Sequence, residues 1–164
     1  MQKTIISEHA IRYFVENEKG KVTYKTWNVG DAQSVDVLAD VELESTLAIL
    51  PEWMLYMDAA KVDVVSFENR SCIKTLLEQS EFITIFAAEN GKKCLVVSYE
   101  EDEETEEFYI TKGILVDLQN MEAKQISNID TKCRYENEIE GGWTSENTFT
   151  FMTSEGLESY TFAE

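Results

Sequence analysis

The chain has 164 residues, 43% of them apolar, and its 32 acidic and 14 basic residues give a formal net charge of −18. This composition excludes a disordered chain, and the length predicts a single domain over residues 1–164. The charge disfavours direct binding to nucleic acid or to a membrane surface, and it favours a basic partner.

Three cysteines, Cys72, Cys94 and Cys133, are too few and too widely spaced to predict a disulfide framework. We expect buried thiols in a reducing, cytoplasmic setting. The first residues lack the pattern of a signal peptide, and no apolar run reaches the length of a transmembrane helix.

The first predicted element is a hairpin from Ile11 to Trp27, with turn residues at Asn17 to Gly20. A helix from Ser7 to Glu18 is the alternative, but β-branched and aromatic residues on both sides of the turn favour strands. A third strand follows from Val35 to Glu44, where apolar and acidic residues alternate except at Leu38.

Two helices are predicted next. Pro51 and Glu52 suit the first turn of a helix over residues 51–60. A short strand, VDVVSF, follows, and Asn69 then suits the N-cap of a helix through Gln79. Four apolar residues of this second helix would share one stripe: Cys72, Ile73, Leu76 and Leu77.

The second half of the chain predicts mostly strands. Two apolar runs flank Asn90-Gly91, which is a strong hairpin signal, and both strands should be central. The run FYITKGILVDL predicts another strand, with a break possible at Gly113, and a short helix or loop covers Gln119 to Ile129. A meander of three strands closes the chain. The predicted fold class is therefore α+β, a mostly antiparallel sheet with two or three helices.

Recognisable catalytic and cofactor motifs are missing. His9 is the single histidine, and it lies in a poor position for a Ser-His-Asp or Cys-His pair. The cysteines lack the close spacing of zinc ligands, and neither of the common phosphate-binding glycine motifs occurs. We therefore expect no catalytic residues, no metal and no cofactor.

The most distinctive segment is EEDEETEE, in which Thr105 interrupts seven carboxylates between Glu100 and Glu107. It lacks the glycine and the ligand alternation of a calcium-binding loop. One interpretation is a solvated loop whose charges keep apolar strands from aggregating. The other is an electrostatic contact surface for a basic partner.

Acidic residues also recur with a period of two in two predicted strands. The first row contains Asp36, Asp40, Glu42 and Glu44, with Leu38 as the exception, and the second contains Glu136, Glu138 and Glu140. Such a row spaces its charges on the scale of phosphates along one DNA strand. Trp143 follows two glycines, where it could form an exposed anchor. The predicted partner-binding residues are Glu100, Glu101, Asp102, Glu103, Glu104, Glu106, Glu107, Glu136, Glu138, Glu140 and Trp143.

These features predict a non-enzymatic acidic binding protein. It would occlude a basic surface on a nuclease or another nucleic-acid-binding protein, in the manner of an immunity protein, a phage anti-defence inhibitor or a DNA mimic. The alternative is a carboxylate-dependent enzyme or a small-ligand domain with a pocket between helix and sheet. A smooth acidic ridge favours the first hypothesis, and buried acids in a pocket favour the second.

Overall fold

The computed structural model describes residues 4–42, 46–58, 61–68, 71–78, 82–105, 107–126, 132–133, 141–153 and 155–163. Every regular element in these ranges is a β-strand, and the strands form four antiparallel sheets. The prediction of an α+β fold is therefore wrong, since the described residues contain no helix. It follows that no helix within these ranges is long and apolar enough to cross a membrane. The chain divides into two compact units, Met1–Glu78 and Gln79–Glu164, which are described separately.

The first unit contains two sheets of four strands, each strand pairing with its neighbour in the chain. The first sheet contains β1 (Thr4–Ile6), β2 (Ala10–Glu16), β3 (Lys21–Asn28) and β4 (Val35–Glu42). The second contains β5 (Thr46–Ile49), β6 (Trp53–Asp58), β7 (Lys61–Ser66) and β8 (Ser71–Glu78). Short connections between consecutive antiparallel strands produce this simple meander order.

The predicted N-terminal hairpin is confirmed as β2 and β3, which pair from Ala10 opposite Asn28 to Glu16 opposite Val22. Its turn depends on Asn17, whose Oδ1 accepts hydrogen bonds from the backbone nitrogens of Lys19 and Lys21. Gly20 follows with a φ of 76°, a conformation that favours glycine. The alternative of a helix from Ser7 to Glu18 is wrong.

The strand predicted from Val35 is confirmed as β4, but its alternation is interrupted. Val37 is buried, whereas Ala39 is exposed. The register of β4 against β3 shifts twice, and Asp40 has a φ of 58°. Such bulges add residues that have no partner across the ladder, so a strict two-residue pattern does not survive along the whole strand.

The helix predicted over residues 51–60 is wrong, because the segment forms the strand β6. Pro51 and Glu52 are the central residues of a tight turn, in which the Leu50 nitrogen donates to the Trp53 carbonyl over 2.8 Å. Proline is favoured both at the first position of a helix and at the second position of a β-turn. Met54 and Leu55 are both fully buried, so the strand shows no alternation that would have distinguished it from a helix.

The helix predicted from Asn69 to Gln79 is also wrong, because β8 occupies this segment. The register of β8 against β7 shifts twice, between Val62 and Asp63 and between Val64 and Val65. As a result Leu76 and Ile73 are extra residues on β8 that have no partner on β7. Two extra residues convert a period of two into a spacing that resembles a helical stripe.

The core of the first unit lies between its two sheets. Buried residues from both sheets form this cluster: Val22, Tyr24, Val37, Ile49, Met54, Val65 and Phe67. Phe14 packs at its edge, and its ring centroid lies 5.7 Å from that of Tyr24. Burial raises the pKa of the Tyr24 hydroxyl, because a phenolate would lose its hydration there.

The second unit also contains two sheets. The larger has the order β12-β11-β10-β9, with β13 also paired to β11, and the smaller has the order β14-β15-β16. Their strands are β9 (Phe82–Ala87), β10 (Lys93–Asp102), β11 (Glu107–Asp117), β12 (Glu122–Ile126), β13 (Lys132–Cys133), β14 (Gly141–Trp143), β15 (Thr148–Thr153) and β16 (Gly156–Thr161).

The hairpin predicted at Asn90-Gly91 is confirmed as β9 and β10. Gly91 has a φ of 66° and its nitrogen donates to the Ala88 carbonyl over 2.9 Å. Residues 93–99 of β10 are all buried, as expected of a central strand. The prediction that both strands are central is wrong for β9, which lies at the edge of the sheet among the described strands. β11 continues through Gly113 without a break. The helix or loop predicted from Gln119 includes the edge strand β12 instead.

The C-terminal meander is confirmed for its last two strands, β15 and β16. The first predicted strand lies almost entirely outside the described residues, which include only Lys132 and Cys133 of this region. The turn before β15 falls at residues 144–147, after Trp143, so Gly141 and Gly142 belong to a strand. Packing of the two sheets buries Leu95, Val97, Tyr99, Leu115, Phe149, Phe151 and Phe162.

One of the three cysteines is described with its side chain. Cys94 is a free thiol that lies fully buried in β10, as predicted. Burial raises its pKa to about 12, because the thiolate would have no hydration. The side chains of Cys72 and Cys133 lie outside the description.

Gly141 is required by close packing in the smaller sheet. A Cβ at this position would stand 2.4 Å from the carbonyl oxygen of Thr150 and 3.0 Å from the Cα of Phe151. We expect Gly141→Ala to lower the free energy of unfolding by about 1–3 kcal/mol, since the backbone must shift to admit the methyl group. Urea unfolding followed by circular dichroism measures this change.

Gly142 provides a matched control, because nothing lies within 4 Å of a Cβ built there. Gly142→Ala should leave the free energy of unfolding unchanged or raise it slightly, since alanine loses less entropy than glycine on folding. Equal losses in both variants would show that the contact at Gly141 does not determine the choice of glycine.

Candidate partner-binding surface

The acidic run lies at the far end of the hairpin formed by β10 and β11. The base of this hairpin is anchored in the core, where Leu95 pairs with Leu115 and both are fully buried. β9 pairs with β10 only as far as Tyr99. Beyond that residue the described part of β10 continues beside β11, and residues 79–81, which precede β9, lie outside the description.

Five consecutive acidic residues, Glu100 to Glu104, are all exposed at this end, and we call them the acidic tip. Glu100 and Glu101 pair with Tyr109 and Phe108 in the register of the two strands. Glu103 and Glu104 lie in the turn. The interpretation of the run as a simple loop is therefore wrong for the acidic tip, because three of its five residues, Glu100 to Asp102, belong to β10.

Asp102 has a structural function within the acidic tip. Its Oδ1 accepts hydrogen bonds from the backbone nitrogen of Glu104 over 2.9 Å and from that of Thr105 over 3.4 Å. This arrangement is an Asx turn, which stabilises the reversal between the two strands. The remaining carboxylates are thus held on a defined turn and do not lie on an extended loop.

The register places like charges opposite each other at the acidic tip. Asp102 pairs with Glu107 across the two strands. Like charges directly opposite each other in an antiparallel pair are destabilising. Binding surfaces often contain an arrangement that lowers the local stability of the fold and has no evident structural benefit.

A β-bulge lies just below the acidic tip. The pairing shifts between Ser98 opposite Lys112 and Tyr99 opposite Ile110, which leaves Thr111 as an extra residue on β11. Bulges strengthen the twist of a hairpin and redirect the residues beyond them. The bulge therefore separates the flat, buried part of the hairpin from its charged end.

Of the other predicted acidic residues, Glu107 has a described position, opposite Asp102. Glu106, Glu136, Glu138 and Glu140 lie outside the described residues, and Glu107 is described only by its place in β11. The acidic row at Glu136 to Glu140 therefore stays a prediction.

The acidic row of β4 is partly neutralised by lysines of β3. The carboxylate of Asp36 binds the ammonium group of Lys25, and Glu42 lies 3.2 Å from Lys21. The hydrogen bond from Lys25 raises the pKa of its own ammonium group. Glu44 lies outside the description. Cross-strand pairing thus makes this face a mixed surface, in contrast to the acidic tip.

Trp143 contributes to the core of the second unit. Its indole is half-buried, and Nε1 donates a hydrogen bond to the Phe86 carbonyl over 2.9 Å. Its ring meets Phe149 edge to face at 5.3 Å and stacks on Phe162 at 6.5 Å. This side chain therefore makes most of its contacts inside the unit. A direct contact between Trp143 and a partner stays a prediction.

A cavity of about 650 Å³ lies within the first unit, where the sequence predicted no site. Its lining includes His9, Arg12, Glu52, Phe67 and Glu68. Sequence reasoning missed Arg12, because a single arginine in a strand with a polar face gives no signal of burial. Only the packing of the second sheet against β2 and β3 encloses it.

Within the described ranges, no group of three or more His, Cys, Asp or Glu side chains is arranged to hold a metal ion. The carboxylates of the acidic tip lie on a strand and a turn that direct them apart, because successive residues of a strand point to opposite faces.

Comparison with known proteins identifies no family. No family model and no curated protein matches the chain. One solved structure similar to it is the Cps50 (Swd1) β-propeller domain of Myceliophteria thermophila, with 8% identity over 96% of this chain and 68% of that chain. The TM-score is 0.35, a value at which the similarity carries no argument about fold or function.

Proposed function

We propose that this protein is a non-enzymatic binding protein, and that its acidic tip covers a basic surface on a nuclease or another nucleic-acid-binding protein. The observation that supports the proposal is the exposure of five consecutive carboxylates at the end of a hairpin anchored in the core. The proposal retains the expected cytoplasmic location. It leaves out the inhibitor, immunity and anti-defence settings, because neither the described fold nor the comparisons support them.

Electrostatic attraction favours a contact of this kind. A net charge of −18 raises the encounter rate with a basic protein, and the acidic tip concentrates part of that charge in one small region. Because strand residues alternate between faces, Glu101 lies on one side of the hairpin and Glu100 on the other. The acidic tip therefore suits insertion into a basic groove better than it suits contact with a flat surface.

The proposal predicts that reversing the charges of the acidic tip slows association. A partner is first isolated on the immobilised protein at low salt, eluted with a salt gradient and identified by mass spectrometry. We expect the triple variant Glu101→Lys, Glu103→Lys, Glu104→Lys to lower the association rate of that partner by roughly tenfold or more at low salt. Asp102 is left intact because it holds the turn.

A second triple variant, Glu122→Lys, Glu146→Lys, Glu158→Lys, is the matched control. These three residues are also exposed and lie in the same unit, and their reversal changes the net charge by the same amount. The control should change the association rate much less than the tip variant. If both variants slow association equally, only the net charge matters, and the acidic tip is not the contact surface.

A further inference from the structure

The cavity of the first unit lies where the two sheets of that unit meet. The first sheet contributes the start of β2 and the end of β3, including Arg12 and Asn28. The second contributes Glu52 from the turn before β6, and Phe67 and Glu68 from the turn after β7. A hydrogen bond of 3.1 Å from the Phe67 nitrogen to the Glu52 carbonyl joins these two segments. The wall of the cavity is therefore built from segments that hold each other in place.

Arg12 is the chemically most unusual residue of this wall, because it is a charged side chain with only 7% of its surface exposed. Its Nη1 donates to Thr26 Oγ1 and, over 3.1 Å, to Asn28 Oδ1. Its guanidinium lies over the ring of Phe67 at 5.2 Å. These contacts fix the orientation of the guanidinium before any ligand arrives.

The hydrogen-bonding capacity of Arg12 is not exhausted by these contacts. Nε is buried and has no hydrogen-bond partner among the described residues. Burial lowers the pKa of the guanidinium, and the carboxylate of Glu52 acts in the opposite direction. A buried cation that is incompletely compensated is costly, and a bound carboxylate or phosphate reduces that cost.

The lining of the cavity also carries the opposite charge. Glu8, Glu52 and Glu68 line it and are exposed. Three carboxylates would repel a simple anion that approaches Arg12, and a simple cation would leave the buried guanidinium of Arg12 uncompensated. A ligand with both charges satisfies both groups.

We propose that this cavity binds a small zwitterion of the α-amino-acid class, with its carboxylate at Arg12 and its ammonium group among the three glutamates. Small-ligand sites typically have volumes of roughly 300–1,000 Å³, and this cavity is within that range. Ala10 and Phe67 supply apolar surface for a side chain of the ligand. The site is distinct from the acidic tip, which belongs to the other unit.

His9 makes the proposal testable in the intact protein. It lines the cavity and is the single histidine of the chain, so its ring protons give one identifiable set of signals in a proton NMR spectrum. The probes are glycine, leucine and glutamine. We expect at least one of them to shift the His9 signals in a saturable manner.

Two analogues of leucine separate the contributions of its charges. The compound 4-methylpentanoate lacks the ammonium group, and 3-methylbutylamine lacks the carboxylate. Each should bind about tenfold or more weakly than leucine, because each leaves one charged partner unmatched. No saturable shift with any of the three amino acids would overturn the proposal. Equal binding of either analogue would also overturn it, by showing a simple anion or cation site.

A double variant tests the glutamate end of the site. Glu8→Gln combined with Glu68→Gln should weaken leucine binding and strengthen binding of 4-methylpentanoate, since the repulsion of its carboxylate is reduced. A change in folding alone would not lower the affinity for one ligand and raise the affinity for the other. Glu16→Gln, at the other end of β2, is the matched control and should change neither. If the double variant bound neither leucine nor 4-methylpentanoate, the result would contradict the proposed orientation of the ligand in the cavity.

Discussion

Replacing Asp117 by alanine is expected to lower the free energy of unfolding by about 3–5 kcal/mol. Asp117 and Lys93 form an ion pair of 3.5 Å between the ends of β11 and β10, and their side chains are only 4% and 9% exposed. Removing the aspartate leaves the Lys93 ammonium buried without its partner. An uncompensated buried charge is among the most destabilising changes known in proteins.

Asp117 also holds the turn between β11 and β12. Its Oδ1 accepts hydrogen bonds from the backbone nitrogens of Gln119 and Asn120, over 2.9 and 3.1 Å. Substitution therefore removes two backbone contacts in addition to the ion pair. For this reason Asp117→Asn, which retains an acceptor oxygen, should cost less than Asp117→Ala.

The exposed ion pair between Lys21 and Glu42 is the control for this prediction. The two side chains are 40% and 61% exposed, so Glu42→Ala should change the free energy of unfolding by no more than about 1 kcal/mol. Urea unfolding followed by circular dichroism compares the variants. Adding Lys93→Met to Asp117→Ala should restore part of the lost stability, because no charge then remains buried. Similar losses for Asp117→Ala and Glu42→Ala would contradict the assigned importance of burial.

The second large effect is expected for Phe149, which is fully buried at the centre of the second unit. Its ring meets Trp143 edge to face at 5.3 Å and stacks on Phe151 at 6.3 Å. Phe149→Ala should lower the free energy of unfolding by about 3–5 kcal/mol, since it removes buried area and leaves a cavity between two sheets. Urea unfolding measures the loss, and the fluorescence of Trp143 should change as its neighbour disappears.

Leu157 is the matched control in the adjacent strand. It is 66% exposed, so Leu157→Ala should change the free energy of unfolding by about 0.5 kcal/mol or less. Phe149→Leu should fall between the two, because leucine fills part of the space. If Phe149→Ala proved no more destabilising than Leu157→Ala, the described core of the second unit would be incorrect.

The strands that could be predicted from sequence share one physical property, which is a local signal. The hairpin of β2 and β3 and the hairpin of β9 and β10 each combine a turn glycine at positive φ with apolar strands on both sides. Such turns restrict the backbone by themselves, whatever the rest of the chain does. The two wrongly predicted helices lacked such a turn glycine, and their apolar spacing was ambiguous.

That ambiguity has a structural cause in β6 and β8. In β6, burial on both faces removed the alternation that identifies a strand. In β8, two bulges against β7 produced a helix-like spacing at Cys72, Ile73, Leu76 and Leu77. Bulges depend on the partner strand, so they cannot be recognised in a segment considered alone.

The candidate surfaces also combine features that the sequence predicts with features that only the structure shows. The exposure of the acidic tip was predictable, because five adjacent carboxylates cannot all be buried without partners. Its form as an anchored hairpin end was not, since that depends on the pairing of β10 with β11. The packing of Trp143 inside the core and the burial of Arg12 could not be predicted from the sequence either. Both depend on which sheets pack together.

The amino-acid sequence by itself determined the charge of this protein and the two hairpin turns that contain Gly20 and Gly91, because these properties belong to single residues and their immediate neighbours. Tertiary structure alone decided that the ambiguous segments are strands, that lysines of β3 pair with Asp36 and Glu42 of β4, and that Arg12 lines a cavity. Each of these outcomes depends on contacts between residues that are distant in the chain, and the free energy of those contacts exceeds the local preferences that a sequence pattern expresses.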